Sequence, residues 1–239
     1  MPNDYFQFKQ FTIWQDQTAM KVGTDGVLLG AWSRAAQTGS ILDIGTGTGL
    51  LALMMAQRTP ARVTIEGIEI AEKAYQQAKE NIKNSPWHKR ICLYHQSYQD
   101  FYSQYQKAFD LIITNPPFFD NSLQGEQTDR NLARHSHSLS IQDLLQGVSR
   151  QLKKQGRFAL ILPFEKKSFF NHKALFAGLY PERQCTIKTT PDKTPKRILI
   201  EYARSKPQDI KKETLVIKTR DNQYTTEYKN LLKPFYLYL

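Results

Sequence analysis

Short apolar segments alternate with helical patterns along most of this chain, and this alternation limits the possible folds more than any other feature. Strands are predicted over residues 40–44, 62–69, 91–96, 109–114 and 156–162. Helical patterns lie between them over residues 49–57, 71–84 and 141–153. Near-continuous apolar strands are typical of a parallel sheet covered by helices on both faces. The sequence therefore predicts a doubly wound α/β fold.

Additional elements are predicted on both sides of this region. An opening β-hairpin alternates over 6–13, turns at 16–17 and resumes over 20–22, and a short helix follows over 25–32. A helix over 165–177 precedes strands over 183–189 and 197–203, a strand pair over 215–218 and around 224, and an aromatic tail expected to pack on the sheet. We expect one domain over 1–239, with an N-terminal hairpin and helix (1–35), a core (36–205) and a C-terminal strand pair and tail (206–239).

Composition excludes several classes of protein. A chain of 239 residues with 40% hydrophobic content can bury a sizeable core, so general disorder is excluded. The sequence lacks an apolar stretch of the roughly 20 residues that cross a bilayer, and it lacks a secretory start. Cys92 and Cys185 are too few for a disulfide framework, and His135 and His137 have no third ligand. We expect a cytoplasmic protein without a metal site.

Positive charge is concentrated at one end of the chain. The net charge is +11, of which residues 1–149 contribute −1 and residues 150–239 contribute +12. A basic segment beside a neutral one suggests that a polyanion docks next to a separate chemical site, although a solvated basic surface is the alternative. The candidate phosphate contacts are Lys153, Lys154, Arg157, Lys166, Lys167, Lys193, Lys196 and Arg197.

Residues 43–49 (DIGTGTG) form a glycine-rich link between a predicted strand and a predicted helix. Glycine allows a sharp turn and a close approach to a ligand, and free N–H groups at a helix N-terminus attract an anionic group. The segment predicts a nucleotide-type site, with a plain packing loop as the alternative. A dinucleotide fingerprint would place glycine where this chain has Leu50, so NAD and FAD are disfavoured.

Two more motifs end predicted strands. Glu69 ends the next strand, where a carboxylate can accept hydrogen bonds from both hydroxyls of a ribose; an exposed strand-end charge is the alternative. Asn115-Pro116-Pro117-Phe118 follows the fourth strand. The Asn115 side-chain carbonyl and the Pro116 main-chain carbonyl can each accept one hydrogen of an exocyclic amine, while Phe118 stacks on its heterocycle. This set matches a planar amine, with a rigid proline turn as the alternative.

In this order on alternating strands, the three motifs resemble those of class I S-adenosylmethionine-dependent methyltransferases that act on amino groups. Within that class, the chain is similar to the bacterial tRNA1(Val) adenine-37 N6-methyltransferase family, through residues 21–32 (KVGTDGVLLGAW), 85–87 (SPW) and 195–197 (PKR). The resemblance covers nearly the full length. It implies a Rossmann-like, mostly parallel seven-stranded sheet with one antiparallel strand, which residues 197–203 could supply.

The resemblance also implies the residues of the site. S-adenosylmethionine would be bound by Lys21, Gly23, Thr24, Asp25, Asp43, Gly45, Thr46, Gly47, Gly49, Glu69, Ile70, Ser97 and Asn115. The target adenine would be held by Asn115, Pro116, Pro117 and Phe118. Ser97 stands where such enzymes usually carry an acidic or amide side chain against the cofactor adenine, and Gln96 or a main-chain group could replace that contact.

The implied reaction is methyl transfer to N6 of an adenine in tRNA, A37 of tRNA1(Val), with the tRNA on the basic C-terminal third. The alternatives are methylation of guanine N2 in ribosomal RNA, of adenine in DNA or of a protein glutamine, and a catalytically silent RNA-binding module. The basic third argues against a protein substrate, and the lack of a separate DNA-reading domain argues against sequence-specific DNA modification. We expect no membrane association and no obligate protein partner.

Overall fold

The computed structural model describes residues 3–18, 20–36, 39–116 and 139–238. The strands in these ranges are β1 (Tyr5–Gln7), β2 (Thr12–Trp14), β3 (Ser40–Ile44), β4 (Thr64–Glu69), β5 (Ile91–His95), β6 (Phe109–Thr114), β7 (Leu152–Pro163), β8 (Tyr180–Lys188), β9 (Arg197–Ala203) and β10 (Lys211–Val216). The helices are α1 (Thr24–Trp32), α2 (Leu50–Arg58), α3 (Glu72–Lys83), α4 (Tyr98–Gln104), α5 (Ile141–Gln151), α6 (Lys167–Phe176) and α7 (Thr226–Leu232).

The central sheet of the described chain has the strand order β10-β8-β9-β7-β6-β3-β4-β5. All its strands run in parallel except β9, which is antiparallel to β7 and β8. The strand order reverses between β3 and β6, and ligands bind at such a switch point in open α/β sheets. The predicted class is confirmed, with β9 as the antiparallel strand. The sheet has eight strands instead of seven because β10 pairs with the outer edge of β8.

Two apolar cores cover the two faces of this sheet, because successive strand residues point to opposite sides. Ile41 contributes to the core beneath α1, α2, α3 and α7, whereas Leu42 contributes to the core beneath α4, α5 and α6. In β6, Leu111 and Ile113 face the first core and Ile112 faces the second. The carboxyl ends of β3 and β6 are therefore held between two packed layers. No helix in the described ranges combines the length and apolar character needed to cross a bilayer.

The N-terminal hairpin turns earlier than the sequence pattern predicts. The chain reverses at 8–11, where the Phe8 N–H donates to the Phe11 carbonyl (2.9 Å) and the two buried rings stack with centroids 4.6 Å apart. Trp14 ends β2, and the buried Gln15 side chain then accepts the Val22 N–H (2.7 Å). The predicted turn at 16–17 and the strand over 20–22 are wrong, because Gln15 takes the backbone group that a second strand would need.

Other elements also differ from prediction. The α4 helix was not predicted; it begins at Tyr98, after Ser97, whose hydroxyl accepts the Asp100 N–H (3.0 Å) as an N-cap. The β7 strand starts at Leu152, so α5 ends two residues before the predicted limit. Toward the C-terminus, β10 begins before the predicted 215–218 strand, whose pairing with Tyr224 is reduced to one bridge from Lys218.

The aromatic tail packs back on the body of the protein, as predicted. Tyr228 and Phe235 are 3% and 1% exposed, and both belong to the core that contains α1 and α2. The Phe235 carbonyl accepts the Lys9 N–H (2.8 Å), and Tyr236 forms a bridge to Phe8. The tail therefore ties the C-terminal region to the N-terminal hairpin.

Phe235→Ala should lower the free energy of unfolding by about 3–5 kcal/mol, because it removes a buried ring and leaves a cavity. Tyr238→Ala is the matched control, since Tyr238 belongs to the same tail but is 90% exposed, and its effect should stay within about 0.5 kcal/mol. Urea denaturation of the two variants measures the difference. Equal losses for both variants would contradict the packing of the tail.

Candidate active site

The loop between β3 and α2 turns through three glycines with positive φ. Gly45, Gly47 and Gly49 have φ values of +67°, +57° and +84°, a left-handed region that strains residues with a side chain. Among the described residues, no atom lies within 4 Å of a Cβ built on Gly45 or Gly47, whereas one on Gly49 would contact Ala78 and Ile82. Gly49 thus fits the packing of α2 on α3. Gly45 and Gly47 border open space.

Asp43 lies at the start of this loop, and only one of its two carboxylate oxygens forms hydrogen bonds with the described residues. It is fully buried, and its Oδ2 accepts hydrogen bonds from Thr46 Oγ1 (2.5 Å) and from the Ala52 N–H (3.1 Å). Its Oδ1 is buried and has no hydrogen-bond partner among the described residues. Burial raises the pKa of Asp43 to about 7, with a smaller contribution from the like charge of Glu69 and opposed by those two hydrogen bonds. Asp43 therefore offers an acceptor for a ligand that supplies a donor.

Glu69, the last residue of β4, connects the glycine loop to the start of α3. Its Oε2 accepts the Gly47 N–H and its Oε1 accepts the Ala71 N–H, both at 2.9 Å. A carboxylate has about four lone-pair sites, so each oxygen keeps one acceptor position. Glu69 is 8% exposed, and these two bonds fix its orientation beside Gly47. Such a carboxylate can accept hydrogen bonds from two hydroxyl groups of one ligand.

Asn115 follows β6 at the position next to the glycine loop. In the parallel ladder Thr114 pairs with Ile44, and its buried hydroxyl donates to the Ile44 carbonyl (2.8 Å). The residues that follow this pair are Asn115 and Gly45. Asn115 is half-buried and Pro116 is buried. The other two residues of the predicted adenine clamp, Pro117 and Phe118, lie outside the described residues, as do His135 and His137.

The first turn of α1 covers the junction between the glycine loop and Asn115. A Cβ on Gly26 would lie 3.0 Å from Leu50 Cδ2 and 3.8 Å from Asn115 Nδ2, so only glycine allows this close approach without displacement. Gly23 precedes the helix as its N-cap, and Thr24 is its exposed first residue. Three elements that are distant in sequence therefore meet at Asn115.

Two charged residues predicted to contact the cofactor bind other parts of the protein. The Lys21 ammonium donates to the Gln15 carbonyl, and Asp25 Oδ2 accepts a hydrogen bond from Arg197 Nε (2.7 Å). Asp25 and Arg197 are 172 residues apart in sequence, and their ion pair connects the first turn of α1 to the start of β9. These contacts hold the segment before α1 and the helix itself in place over the site.

The outer end of the site carries an apolar residue and a helix cap. The Ile70 side chain is 43% exposed, and its carbonyl is bonded by His95 Nε2 (3.1 Å), which fixes the turn after Glu69. The Ser97 hydroxyl donates to Asp100 Oδ2 (2.6 Å) while accepting the Asp100 N–H. The hydroxyl of Ser97 has therefore used its only hydrogen, and its oxygen can still accept one more hydrogen bond.

The candidate phosphate contacts lie at two opposite ends of the strands of the sheet. Lys153 and Arg157 are near the amino end of β7, where they bind Asp110 (2.8 Å) and Glu182 (3.2 Å). At about 3.3 Å per residue, Lys153 is roughly 30 Å from the carboxyl end of this strand. Lys153, Lys154 and Arg157, which the charge pattern included, do not border the site.

The other candidate phosphate contacts lie at the carboxyl edge of the sheet, beyond the end of β7 and before β9. Arg197 pairs with Pro163 at the end of β7, and the Phe164 N–H donates to the Lys196 carbonyl (3.1 Å). This contact joins the turn before β9 to the segment that carries Lys166 and Lys167. Positive charge is thereby placed at the edge of the sheet where the glycine loop and Asn115 lie.

Sequence patterns missed two features of the site. Gly26 belonged to a block recognised only by resemblance, and its close approach to Asn115 depends on the packing of α1 on α2. The pairing of Arg197 with Asp25 joins residues that no local pattern connects. A group of three or more side chains able to hold a metal ion is not found in the described part of the chain.

Comparison with known proteins identifies relatives of similar length. The methyltransferase small domain model matches residues 19–171. A Bacteroides fragilis protein named tRNA1(Val) (adenine(37)-N6)-methyltransferase is 47% identical over 239 residues, covering 99% of both chains. A protein of the same name from Bacteroides thetaiotaomicron is also 47% identical and covers 100% of both chains.

A solved structure supports the fold independently. The crystal structure of a predicted O-methyltransferase from Agrobacterium tumefaciens aligns with a TM-score of 0.66 and 16% identity, covering 88% of this chain and 96% of that chain. At this identity the similarity describes the fold alone. Together with the matches over the full chain, it leads to one conclusion: the chain belongs to the tRNA1(Val) (adenine(37)-N6)-methyltransferase family and contains its methyltransferase small domain.

Proposed function

We propose that this protein transfers a methyl group from S-adenosylmethionine to the exocyclic N6 amine of adenine 37 in tRNA1(Val). The observation that carries the proposal is the adjacency of Gly45 and Asn115, which follow the hydrogen-bonded strand ends Ile44 and Thr114. One side of this junction offers a cradle for an extended ligand, and the other offers carbonyl acceptors for an amine. The family of the chain supports the same substrate.

The described residues fit S-adenosylmethionine. The open space over Gly45 and Gly47 accommodates a ligand that touches the backbone, and the unpartnered Asp43 Oδ1 suits the ammonium group of its methionyl part. Glu69 would accept the ribose hydroxyls, and the exposed Ile70 would pack on the adenine ring. When bound, the cofactor supplies an electrophilic methyl group on a sulfonium.

Remaining contacts would come from both ends of the site. The Ser97 hydroxyl can accept a hydrogen bond from the amino group of the cofactor adenine through its free lone pair. This bond would replace the one made by the acidic or amide side chain that is usual at this position. Thr46 and Gly49 would act through the shape of the loop, since Thr46 bonds Asp43 and Gly49 packs on α3. Gly23 and Thr24 would cover the methionyl end from the start of α1.

The protein would act mainly by positioning the target amine. The Asn115 side-chain carbonyl and the Pro116 main-chain carbonyl would each accept one N–H, which orients the nitrogen lone pair toward the methyl group. These bonds strengthen as positive charge develops on the nitrogen, so they favour the transition state over the ground state. Pro117 and Phe118 would complete the clamp, a role that rests on their place in the motif.

The tRNA would approach the edge that carries Lys166, Lys167, Lys193, Lys196 and Arg197. Neutralisation of phosphates by these side chains would supply affinity independent of sequence, while the clamp selects the base. An enzyme that modifies tRNA works where tRNA is present, so we place the protein in the cytoplasm.

Mass spectrometry of nucleosides tests the reaction directly. Unmodified tRNA1(Val) is incubated with the protein and methyl-labelled S-adenosylmethionine, digested and analysed. The proposal requires labelled N6-methyladenosine at position 37, and a transcript with guanine at position 37 serves as the control. Label in another nucleoside, or in none, would reject the proposed substrate.

Gly47→Ala should weaken S-adenosylmethionine binding by at least about tenfold, because the methyl group enters the cradle and the positive φ is strained. Gly178→Ala is the matched control, since Gly178 has a φ of +72° and equally open surroundings in the turn between α6 and β8. Both variants should lose about 1–2 kcal/mol of stability. Calorimetry should find weakened cofactor binding only for Gly47→Ala; equal affinities would contradict the cradle.

Asn115→Ala should lower kcat by at least about 100-fold, since the amine loses one of its two acceptors and its orientation. Cofactor affinity should change far less than kcat. Asn230→Ala, an exposed asparagine on α7, is the control and should retain full turnover. If Asn115→Ala binds cofactor poorly but turns over normally, Asn115 does not have the proposed role.

The raised pKa of Asp43 predicts a pH-dependent stability of the protein without ligand. Between about pH 4 and pH 7 the folded protein keeps a proton on Asp43 that the unfolded chain releases, so the free energy of unfolding falls as pH rises. A shift from near 4 to about 7 corresponds to a loss of about 4 kcal/mol, complete above pH 7. Asp43→Asn should lack this component. Parallel urea denaturation series across this range measure the difference, and identical slopes would contradict the shift.

A further inference from the structure

Helix α6 presents an exposed face of aromatic and cationic side chains that the proposed chemistry does not use. The face consists of Phe169, His172, Lys173 and Phe176, all exposed, and we call it the α6 aromatic face. At 3.6 residues per turn these four positions fall within an arc of about 100°. Phe169 is 46% exposed and Phe176 is 80% exposed, whereas Phe170 on the opposite side is buried. The helix therefore has a second apolar face that no described element covers.

Lysine ammonium groups and a histidine ring lie against the aromatic rings of α6 and of the segment before it. Lys173 Nζ is 5.7 Å from the centroid of the Phe169 ring, and Lys167 Nζ is 5.9 Å from that of Phe164. The His172 and Phe176 rings meet edge to face with centroids 4.8 Å apart. Ring faces next to flexible cations are the combination that binds single-stranded nucleic acid, because bases stack on the rings and phosphates pair with the cations.

The charge around this face favours a polyanion. From residue 166 to residue 181 the sequence contains no Asp or Glu. Of the two flanking carboxylates, Glu182 is bound to Arg34 and Arg157, and Glu165 lies exposed just before α6. A phosphate near Lys173 would therefore meet no carboxylate within this segment. A second copy of the same face would instead bring lysine against lysine, which disfavours self-association.

The position of α6 connects this face to the proposed active site. The helix starts four residues after Pro163, the end of β7, which lies beside β6 and Asn115. The Phe164 N–H bond to the Lys196 carbonyl (3.1 Å) joins the start of α6 to the basic turn before β9. From there Phe169 and Phe176 extend about 10 Å along the helix, at 1.5 Å per residue. The face thus continues the basic edge away from Asn115.

We propose that the α6 aromatic face binds unpaired nucleotides of the RNA substrate, next to the adenine that enters the active site. Phe169 and Phe176 stack on bases of the anticodon loop, and Lys173 contacts the phosphate between them. The inference rests on the proposed function, because it takes the substrate to be a tRNA whose target lies in a single-stranded loop. In this inference α6 helps the protein to select a single-stranded loop over a duplex, since only unpaired bases expose both of their flat sides.

The first test measures binding without cofactor. The probe is the unmodified, fluorescently labelled anticodon stem-loop of tRNA1(Val), and the full-length protein is titrated into it. The double variant Phe169→Ala/Phe176→Ala should raise the Kd by about tenfold or more, because each base loses the ring on which it stacks. Leu175→Ala is the matched control: Leu175 is 47% exposed on the same helix but outside the arc, and its variant should bind like the wild type.

Three more measurements separate stacking from a general structural effect. Phe169→Trp/Phe176→Trp keeps the ring faces and should restore the wild-type Kd. Lys173→Gln should reduce the slope of log Kd against log salt concentration by about 0.7–1, while the double alanine variant should leave that slope unchanged. In turnover, the double alanine variant should raise KM for tRNA and leave kcat and the affinity for S-adenosylmethionine unchanged.

The outcomes separate this inference from the proposed function. An unchanged Kd for the double alanine variant would overturn the inference even if the wild type methylates tRNA. The same holds if Leu175→Ala weakens binding equally, or if sedimentation shows a wild-type dimer that the double variant dissociates. Failure of the wild type to incorporate methyl groups would instead reject the proposed function, and the stem-loop titration would still decide whether α6 binds RNA.

Discussion

Three glycines with positive φ determine how the chain passes from β3 into α2, and the geometry of the site depends on them. A side chain at Gly45 or Gly47 would strain the backbone and occupy the space that both glycines leave open. The turn brings the Gly47 N–H to Glu69 and the start of α2 over Asp43. One backbone conformation thus positions the carboxylates of Asp43 and Glu69 around the same loop, and any change in this turn would move both.

Electrostatics and topology then combine at the switch point of the sheet. The buried Asp43 is costly to ionise alone, and the raised pKa reflects that cost; a cationic ligand beside Oδ1 would reduce it. Across the junction, the bond from Thr114 to Ile44 fixes Asn115 beside the glycine loop, and Gly26 lets α1 cover both. Under the proposed function, the methyl donor and the target amine would therefore be held next to each other by the pairing of β3 with β6.

The core of the fold could be predicted from the sequence because its strands are continuous apolar runs. The bounds of β3 and β6 agree with the predicted 40–44 and 109–114, and the glycine loop and Asn115 that follow them lie at the predicted edge. Elements governed by polar or distant contacts could not be predicted. The strand β10 has exposed lysines, α4 is a short helix whose only signal is the Ser97 cap, and the hairpin turn depends on buried Phe8 and Phe11. The ion pair of Asp25 with Arg197 and the charge state of Asp43 arise only after folding.

A crystal structure of the protein with S-adenosylhomocysteine would test the central claim most directly. The account predicts the ligand over Gly45 and Gly47, with its ribose hydroxyls within hydrogen-bonding distance of Glu69 and its sulfur facing the Asn115 side-chain carbonyl. A ligand bound elsewhere, or one bound in the loop with Asn115 turned away from its sulfur, would contradict it.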